Sequence, residues 1–476
     1  MKLLIFLSNI LLLISSINTH YTSIKIKRNL LNTNLNLSIF LQNETFSSSK
    51  TNKTNISKNF KEPENKNNSI FTKLDLINFK DVQYSGDIYV GTPYNKYSVI
   101  YDTGSNLFWL PPINCTLKCR NDTNRYNPEL SSTSQNLHIK KNISYAKGYI
   151  KGSLYKEKVC LNKKSVFSFL YNKELTVDNY KLIAVYKEKY LFKTIFDGIV
   201  GLGINDEGDI NNSLIKLLYE QNKISKPSFS FYLFSNKNNN TNDISRLYIG
   251  DILENDYIYN VFKDKIKYCY LPDKNEYWLC ESNKLKFELK ENNINNNSSK
   301  TKIVTSKSAV IFDTGTSFTI IPKNDSQYIM DYFNYTLGKK CFITKYHQIF
   351  CQCNSEKDFG NIKIYFDENN YYQINFEDLI KYNKSFTYQC HFQMMVDKID
   401  FGAWVIGDSS LRASLITFNM QERKISFIQN INKTIEDNKI AKSILINQSW
   451  ISNSMFWILI IGVILLIIIL IIYIFK

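Results

Sequence analysis

The chain has 476 residues, a formal net charge of +16, 14% aromatic and 21% charged residues, and nine cysteines. That length exceeds one compact core and calls for at least two. The positive charge does not read as a nucleic-acid surface, because the lysines are scattered through Asn-rich runs such as Asn236-Lys237-Asn238-Asn239-Asn240, without a basic helix or interleaved aromatic motif.

In chain order, residues 1–18 open with Lys2, continue through Leu3-Leu4-Ile5-Phe6-Leu7 and Ile10-Leu11-Leu12-Leu13-Ile14, and end near Ser15-Ser16, the pattern of a secretory signal peptide. Residues 19–71 are rich in Asn, Lys, Ser and Thr and cannot bury much apolar surface alone. From 72 to 430, alternating runs such as Phe229-Ser230-Phe231-Tyr232-Leu233 and Ile362-Lys363-Ile364-Tyr365-Phe366, separated by Gly, Asn and Asp, predict an all-β body. One helix is expected over Ser213 to Tyr219, whose apolar residues fall on one face. Residues 431–454 form a juxtamembrane stalk. The unbroken apolar run Met455–Phe475 is long enough for a transmembrane helix, for which about 20 residues suffice. These ends predict a single-pass type I membrane protein whose body is luminal or extracellular. A removable lipid-anchor signal is the alternative, given the small residues Ser449, Ser452 and Ser454.

The body repeats itself. Val99-Ile100-Tyr101-Asp102-Thr103-Gly104-Ser105 returns as Val310-Ile311-Phe312-Asp313-Thr314-Gly315-Thr316, and Ile199-Val200-Gly201 returns as Val405-Ile406-Gly407. The duplication divides the body into lobes at 72–255 and 256–430. A carboxylate ending an apolar strand is costly unless its charge is solvated or shared. A Gly after each Asp-Thr permits a sharp turn, so that two such loops can bring their carboxyls face to face. At that separation both cannot ionise, and the pair holds one proton between two macroscopic pKa values. The ionised member can then activate a water while the neutral one donates to a substrate carbonyl, which requires no metal or cofactor. A single Asp-Thr-Gly would read as a strand-to-turn Asp bonding its own backbone; the duplicate makes that reading a poor one.

With these residues in place, the chain resembles the pepsin-like aspartic endopeptidases and, among them, the plasmepsins of malaria parasites. Tyr84-Ser85-Gly86-Asp87-Ile88-Tyr89-Val90-Gly91-Thr92-Pro93, Phe196-Asp197-Gly198-Ile199-Val200-Gly201 and Trp404-Val405-Ile406-Gly407-Asp408 are further blocks in family order. The resemblance implies a bilobal fold with a central cleft and an Asp102–Asp313 dyad. It also implies that Thr103 and Thr314 tie the loops together and that Ser105 and Thr316 support the carboxylates. Ile143 to Gly152 is similar to the family's flap, with Tyr145 as its tyrosine, Trp109 as that residue's partner and Gly148 near the tip. Ala146, Lys147 and Tyr149 depart from the usual small polar tip. Ile24-Lys25-Ile26-Lys27-Arg28 resembles a zymogen's basic propeptide strand; a disordered basic leader is the other reading. The resemblance places a small disulfide at Cys115 and Cys119 and a second-lobe disulfide in the region bracketed by Cys341 and Cys390, which Cys351 and Cys353 complicate. Cys269 and Cys280 flank an expected hairpin and can pair across it, leaving Cys160 as the odd cysteine. Zinc fits poorly, because Cys351-Gln352-Cys353 is too tightly spaced and no His cluster accompanies it. The Asn-x-Ser/Thr triplets, Asn121-Asp122-Thr123 and Asn334-Tyr335-Thr336 among them, multiply with the Asn bias and single out no glycosylation site.

The resulting expectation is a monomeric, membrane-anchored aspartic endopeptidase acting on extended polypeptides. The alternative is a pepsin-like binding protein without turnover.

Overall fold

The structure is a computed structural model that describes residues 71–115, 124–145, 148–162, 174–189, 196–204, 213–235, 245–273, 277–293, 296–398, 401–412, 414–429 and 431. The signal peptide, the prosegment up to residue 70, the stalk beyond residue 431, the apolar run 455–475 and Cys119 lie outside the described residues. Among the described residues, no helix is long and apolar enough to cross a membrane.

The first half opens with β1 (Phe71–Phe79), β2 (Gln83–Val90), β3 (Asn95–Asp102) and β4 (Phe108–Leu110). The long strands β5 (Gln135–Tyr145), β6 (Gly148–Cys160) and β7 (Thr176–Lys189) follow, then β8 (Gly198–Gly201), β9 (Ser228–Tyr232) and β10 (Ser245–Gly250). The second half runs β11 (Lys267–Tyr270), β12 (Leu279–Glu281), β13 (Lys284–Asn293), β14 (Asn296–Thr305), β15 (Ala309–Phe312) and β16 (Thr319–Ile321). After these come β17 (Cys341–Ile343), β18 (Gln348–Cys351), β19 (Asn361–Tyr365), β20 (Tyr371–Asn375), β21 (Ile380–Tyr382) and β22 (Cys390–Val396). The chain closes with β23 (Ala403–Ile406), β24 (Ser414–Asn419) and β25 (Lys424–Gln429).

One sheet is ordered β11-β25-β24-β9-β10-β1-β2-β3-β8-β4-β7-β6-β5 and so includes strands of both halves. A second is ordered β12-β15-β23-β16-β22-β18-β17, with β21 beside β22, and a third β14-β13-β19-β20. The crossing from one half to the other is made by β24, which pairs with β9 in the register Leu415↔Tyr232. That pairing explains why β9 is buried along its whole length although its sequence reads as alternating. Of its two buried serines, Ser230 is satisfied, its hydroxyl lying 2.8 Å from that of Thr417, whereas Ser228 Oγ has no hydrogen-bond partner among the described residues. By contrast, β19 alternates buried and half-exposed residues as its sequence implies.

The expected helix spans Leu214–Glu220, buries Leu214, Ile215 and Leu218, and is capped by Ser213, whose Oγ accepts from the Lys216 amide at 3.3 Å. Aromatic rings seal the region where the halves meet. Phe229 stacks on Phe418 at 4.9 Å, and Trp278 lies 5.1 Å from Phe418, with its Nε1 donating to the Leu202 carbonyl at 2.8 Å. Each such buried ring contributes about 1.5–3 kcal/mol of transfer free energy.

Cys269 is bonded to Cys280. The second-lobe disulfide differs from the pairing that the resemblance implied. Cys341 bonds Cys351, and Cys353 bonds Cys390. Cys351 stands opposite Cys341 across the β17–β18 pair and opposite Cys390 across the β18–β22 pair; it bonds Cys341, with 4.1 Å between Cα atoms, while Cys390 bonds Cys353 at a Cα separation of 6.0 Å. Cys115 is disulfide-bonded, and Cys160 is buried outside these bonds.

Candidate active site

Strand β3 carries Val99, Ile100 and Tyr101, all buried, between β2 and β8, and ends at Asp102. Strand β15 carries Val310, Ile311 and Phe312 between β12 and β23, and Asp313 follows it. Each apolar strand pairs in parallel with the repeated Gly strand, Asp102 aligning with Gly201 and Phe312 with Ile406. The close fit needs glycine there. A Cβ on Gly201 would lie 2.3 Å from the Leu107 nitrogen, and one on Gly407 would lie 2.3 Å from the Thr316 carbonyl oxygen.

The two Asp-Thr-Gly loops meet and mirror one another. Asp102 Oδ1 accepts from the Gly104 amide at 2.8 Å and Oδ2 from Ser105 Oγ at 2.5 Å. Asp313 Oδ1 accepts from the Gly315 amide at 2.7 Å and Oδ2 from Thr316 Oγ1 at 2.6 Å. Behind the carboxyls, Thr103 Oγ1 donates to the Phe312 carbonyl at 2.8 Å and accepts from the Thr314 amide at 3.0 Å. Thr314 Oγ1 donates to the Tyr101 carbonyl at 2.6 Å and accepts from the Thr103 amide at 3.1 Å. Each hydroxyl therefore satisfies one buried amide and one buried carbonyl of the opposite half.

Glycine in each loop leaves space for the other loop's acid. A Cβ on Gly104 would stand 2.6 Å from the Asp313 carboxyl, and one on Gly315 would stand 2.2 Å from Asp102 Oδ1. The requirement is mutual contact between carboxyls, not only the turn geometry that the sequence suggested.

Asp102 is only 6% exposed. Burial pushes its carboxyl well above the ordinary range, and the nearby Asp313 charge pushes the same way, against the opposing hydrogen bond from Ser105. A third acid stands close by. Asp408, the residue after Gly407, is buried, and its amide donates to the Thr316 carbonyl at 2.8 Å. Burial raises its pKa far above the usual value, with the charges of Asp313 and Asp102 adding and Arg412 opposing. Asp408 belongs to a motif legible in the sequence, yet nothing in one half's pattern says that it is buried near the two acids, because the repeat has Leu202 at that position.

Strands β5 and β6 form a hairpin over the residues expected as the flap, with Ile143 opposite Ile150 and Tyr145 opposite Gly148. Trp109 in β4 is buried beneath its base with Ile150, Leu154, Ile183 and Val185. Ala146, Lys147 and the Tyr145 side chain lie outside the described residues, and with them the expected Tyr145 to Trp109 contact.

A second polar cluster escaped the sequence reading. Asp325, buried in the helix Lys323–Asp331, accepts from Ser306 Oγ at 2.6 Å, Ser308 Oγ at 2.8 Å and Trp404 Nε1 at 2.7 Å. It thereby pins the approach to β15 against β23, the two strands that lead to Asp313 and Asp408. Its acid sits on a short helix just after the second repeat, but its partners Ser306, Ser308 and Trp404 are brought to it by the fold, so no local pattern marks it.

The mostly β architecture agrees with comparison to known proteins. The family model for eukaryotic aspartyl protease matches residues 83–430. Pregnancy-associated glycoprotein 2 of Bos taurus is 26% identical over 368 residues, which cover 76% of this chain and 85% of that protein. Pepsin A of Suncus murinus is 30% identical over 162 residues, covering 34% of this chain and 40% of the relative. Pepsin A of Callithrix jacchus is 29% identical over 177 residues, covering 37% and 43%. The alignment thus spans about two fifths of the length of these pepsin relatives. On the family match and the mostly β architecture, the chain belongs to the eukaryotic aspartyl protease family.

Proposed function

We propose that this protein is an aspartic endopeptidase that hydrolyses extended polypeptides from a secretory-pathway membrane. The observation that carries the reading is the reciprocal packing of the two Asp-Thr-Gly loops, in which each glycine vacates the space that the opposite carboxyl fills. Asp102 and Asp313 share one proton, and deeper burial favours the neutral form at Asp102. Asp313 then takes a proton from a water as its oxygen attacks the peptide carbonyl carbon, while Asp102 donates to the carbonyl oxygen. Collapse of the tetrahedral gem-diol breaks the C–N bond: the proton on Asp313 passes to the departing amine, and one hydroxyl returns its proton to Asp102, which leaves a carboxylic acid and restores the shared proton. Ser105 and Thr316 hold the carboxyls through their hydroxyl bonds. The flap hairpin closes over an extended substrate, with Tyr145 positioning it and strand-like backbone bonds along the cleft supplying affinity.

In this reading the enzyme is a monomer, residues 1–18 direct it to the secretory pathway and residues 19–71 hold the cleft shut until acid weakens the pairing of their basic residues with the dyad. Met455–Phe475 anchors it, on the plan of a membrane-bound plasmepsin. Full-length protein in detergent, digested with a peptide library from acidic to neutral pH beside Asp102→Ala and Asp313→Ala, tests the activity. Cleavage abolished by both substitutions is expected. No cleavage at any pH with peptide binding intact would favour the binding-protein reading, and cleavage that survives both would sink the dyad. Truncation before Met455 should release soluble protein; an integral truncated chain would overturn the anchor.

A further inference from the structure

We infer that Asn383 carries an N-linked glycan whose proximal sugar covers an aromatic ledge on the second half. This rests on the secretory-pathway reading above. Asn383-Lys384-Ser385 is one acceptor triplet among many in an Asn-rich chain. The fold sets it apart from the Asn334 triplet. Asn383 opens the loop between β21 and β22, where its amide donates to the Gln389 carbonyl at 2.8 Å and its carbonyl accepts from the Phe386 amide at 3.3 Å. Its Oδ1 accepts from the Ser385 amide at 3.0 Å, which fixes the side chain outward, and Asn383 and Ser385 are both exposed. Among the described residues, Asn383 Nδ2 makes no hydrogen bond that a glycan would break. Asn334 shows the opposite case, because its side chain accepts from the Cys341 amide at 2.8 Å and donates to the Cys341 carbonyl at 3.4 Å. A sugar at Asn334 would crowd a side chain that is packed against the start of β17.

The second observation is what stands beside the turn. Phe386, at the fourth position of the same turn, is 51% exposed and stacks on His391 with ring centroids 5.2 Å apart. From His391 the rings continue through Phe350 to Phe342, which is 40% exposed and lies against Tyr388 at 4.7 Å. An aromatic face left open to water is a liability. A sugar ring has an apolar C–H face, and one attached at the first position of a tight turn lies within reach of a ring at the fourth. Glycan transfer here means that Asn383 Nδ2 attacks the anomeric carbon of a lipid-pyrophosphate-linked oligosaccharide. The C1–O bond breaks, the lipid pyrophosphate leaves, and one amide proton is lost.

The test is translation of the full chain with endoplasmic-reticulum microsomes, followed by added protease to report import. Peptide N-glycosidase digestion of the protected chain in heavy-oxygen water then marks each formerly glycosylated Asn as labelled Asp. Import with labelled residue 383 is the expected result. Import with residue 383 unlabelled overturns the inference and leaves the secretory reading standing, whereas failure of import overturns both. For the ledge, Phe386→Ala should lower Tm by about 2 °C more in the glycosylated chain than in an Asn383→Gln background. Equal losses in the two backgrounds would show that the sugar does not cover the ring.

Discussion

The Asp102 loop and the Asp313 loop make the same hydrogen bonds in the same order, but they are not equivalent. Each carboxyl takes one glycine amide and one hydroxyl, at distances that agree within 0.1 Å in each pair, 2.8 against 2.7 Å and 2.5 against 2.6 Å. Their surroundings differ. Asp102 is buried while Asp313 is half-exposed, and the strand crossing behind the second loop contributes Asp408 where the first contributes Leu202. Duplication therefore copied the bonding of the site and left its solvation asymmetric. Since burial is the largest cause of the raised Asp102 carboxyl, this asymmetry distinguishes two acids whose contacts are alike.

If the bonding is truly shared, Asp102→Ala and Asp313→Ala should each reduce kcat/KM on a peptide substrate by about 10⁴-fold. Unequal losses, with one variant retaining most of the rate, would mean that the acids do not act as a unit. Gly104→Ala and Gly315→Ala come next, with an expected loss of about 10²-fold each, because each new methyl displaces the opposite carboxyl. A Gly315→Ala enzyme with an unchanged pH–rate profile would contradict the contact with Asp102.

Stability provides a third comparison. Thr103→Val and Thr314→Val each strand one amide and one carbonyl in the interior, at about 1–3 kcal/mol for each unsatisfied group. Denaturant unfolding should show similar losses for both, and a large difference would break the pseudo-symmetry at its best-matched point.

The smallest effect, and the one that probes the asymmetry, belongs to Asp408→Asn. Its folded pKa is raised above the unfolded value, so the folded state holds a proton that the unfolded state has released. That stabilises the native chain in acid, and the contribution is lost as pH rises above the ordinary carboxylate range. Asparagine stays neutral and escapes the loss. The Tm of the variant should match the wild type in acid and exceed it increasingly toward neutral pH; a gap that shrinks with pH would reverse the assignment.

Much of this site was legible because its chemistry is local. Asp102, Thr103 and Gly104 are adjacent, and an acid at the end of an apolar strand calls for a reason wherever it occurs. The β character of Ile362–Phe366 and the helix after Ser213 were legible on the same ground, since the period of apolar residues is a property of neighbours. What failed to show depends on which strand lies beside which. Cys341 faces Cys351 because β17 and β18 pair in that register, β9 is buried throughout because β24 returns to it, and Asp325 reaches Trp404 across a gap of 79 residues.

The sequence by itself determined the two acids and the β class of the body, because covalent adjacency and side-chain alternation are written along the chain, while the roles of the supporting hydroxyls came with the family resemblance. Only the tertiary structure decided that Asp408 is buried near the two acids, that Asp102 is more deeply buried than Asp313, and how the second-lobe cysteines pair. Solvent exclusion and cross-strand register arise from all the residues packed around a point, so no short stretch of sequence contains them.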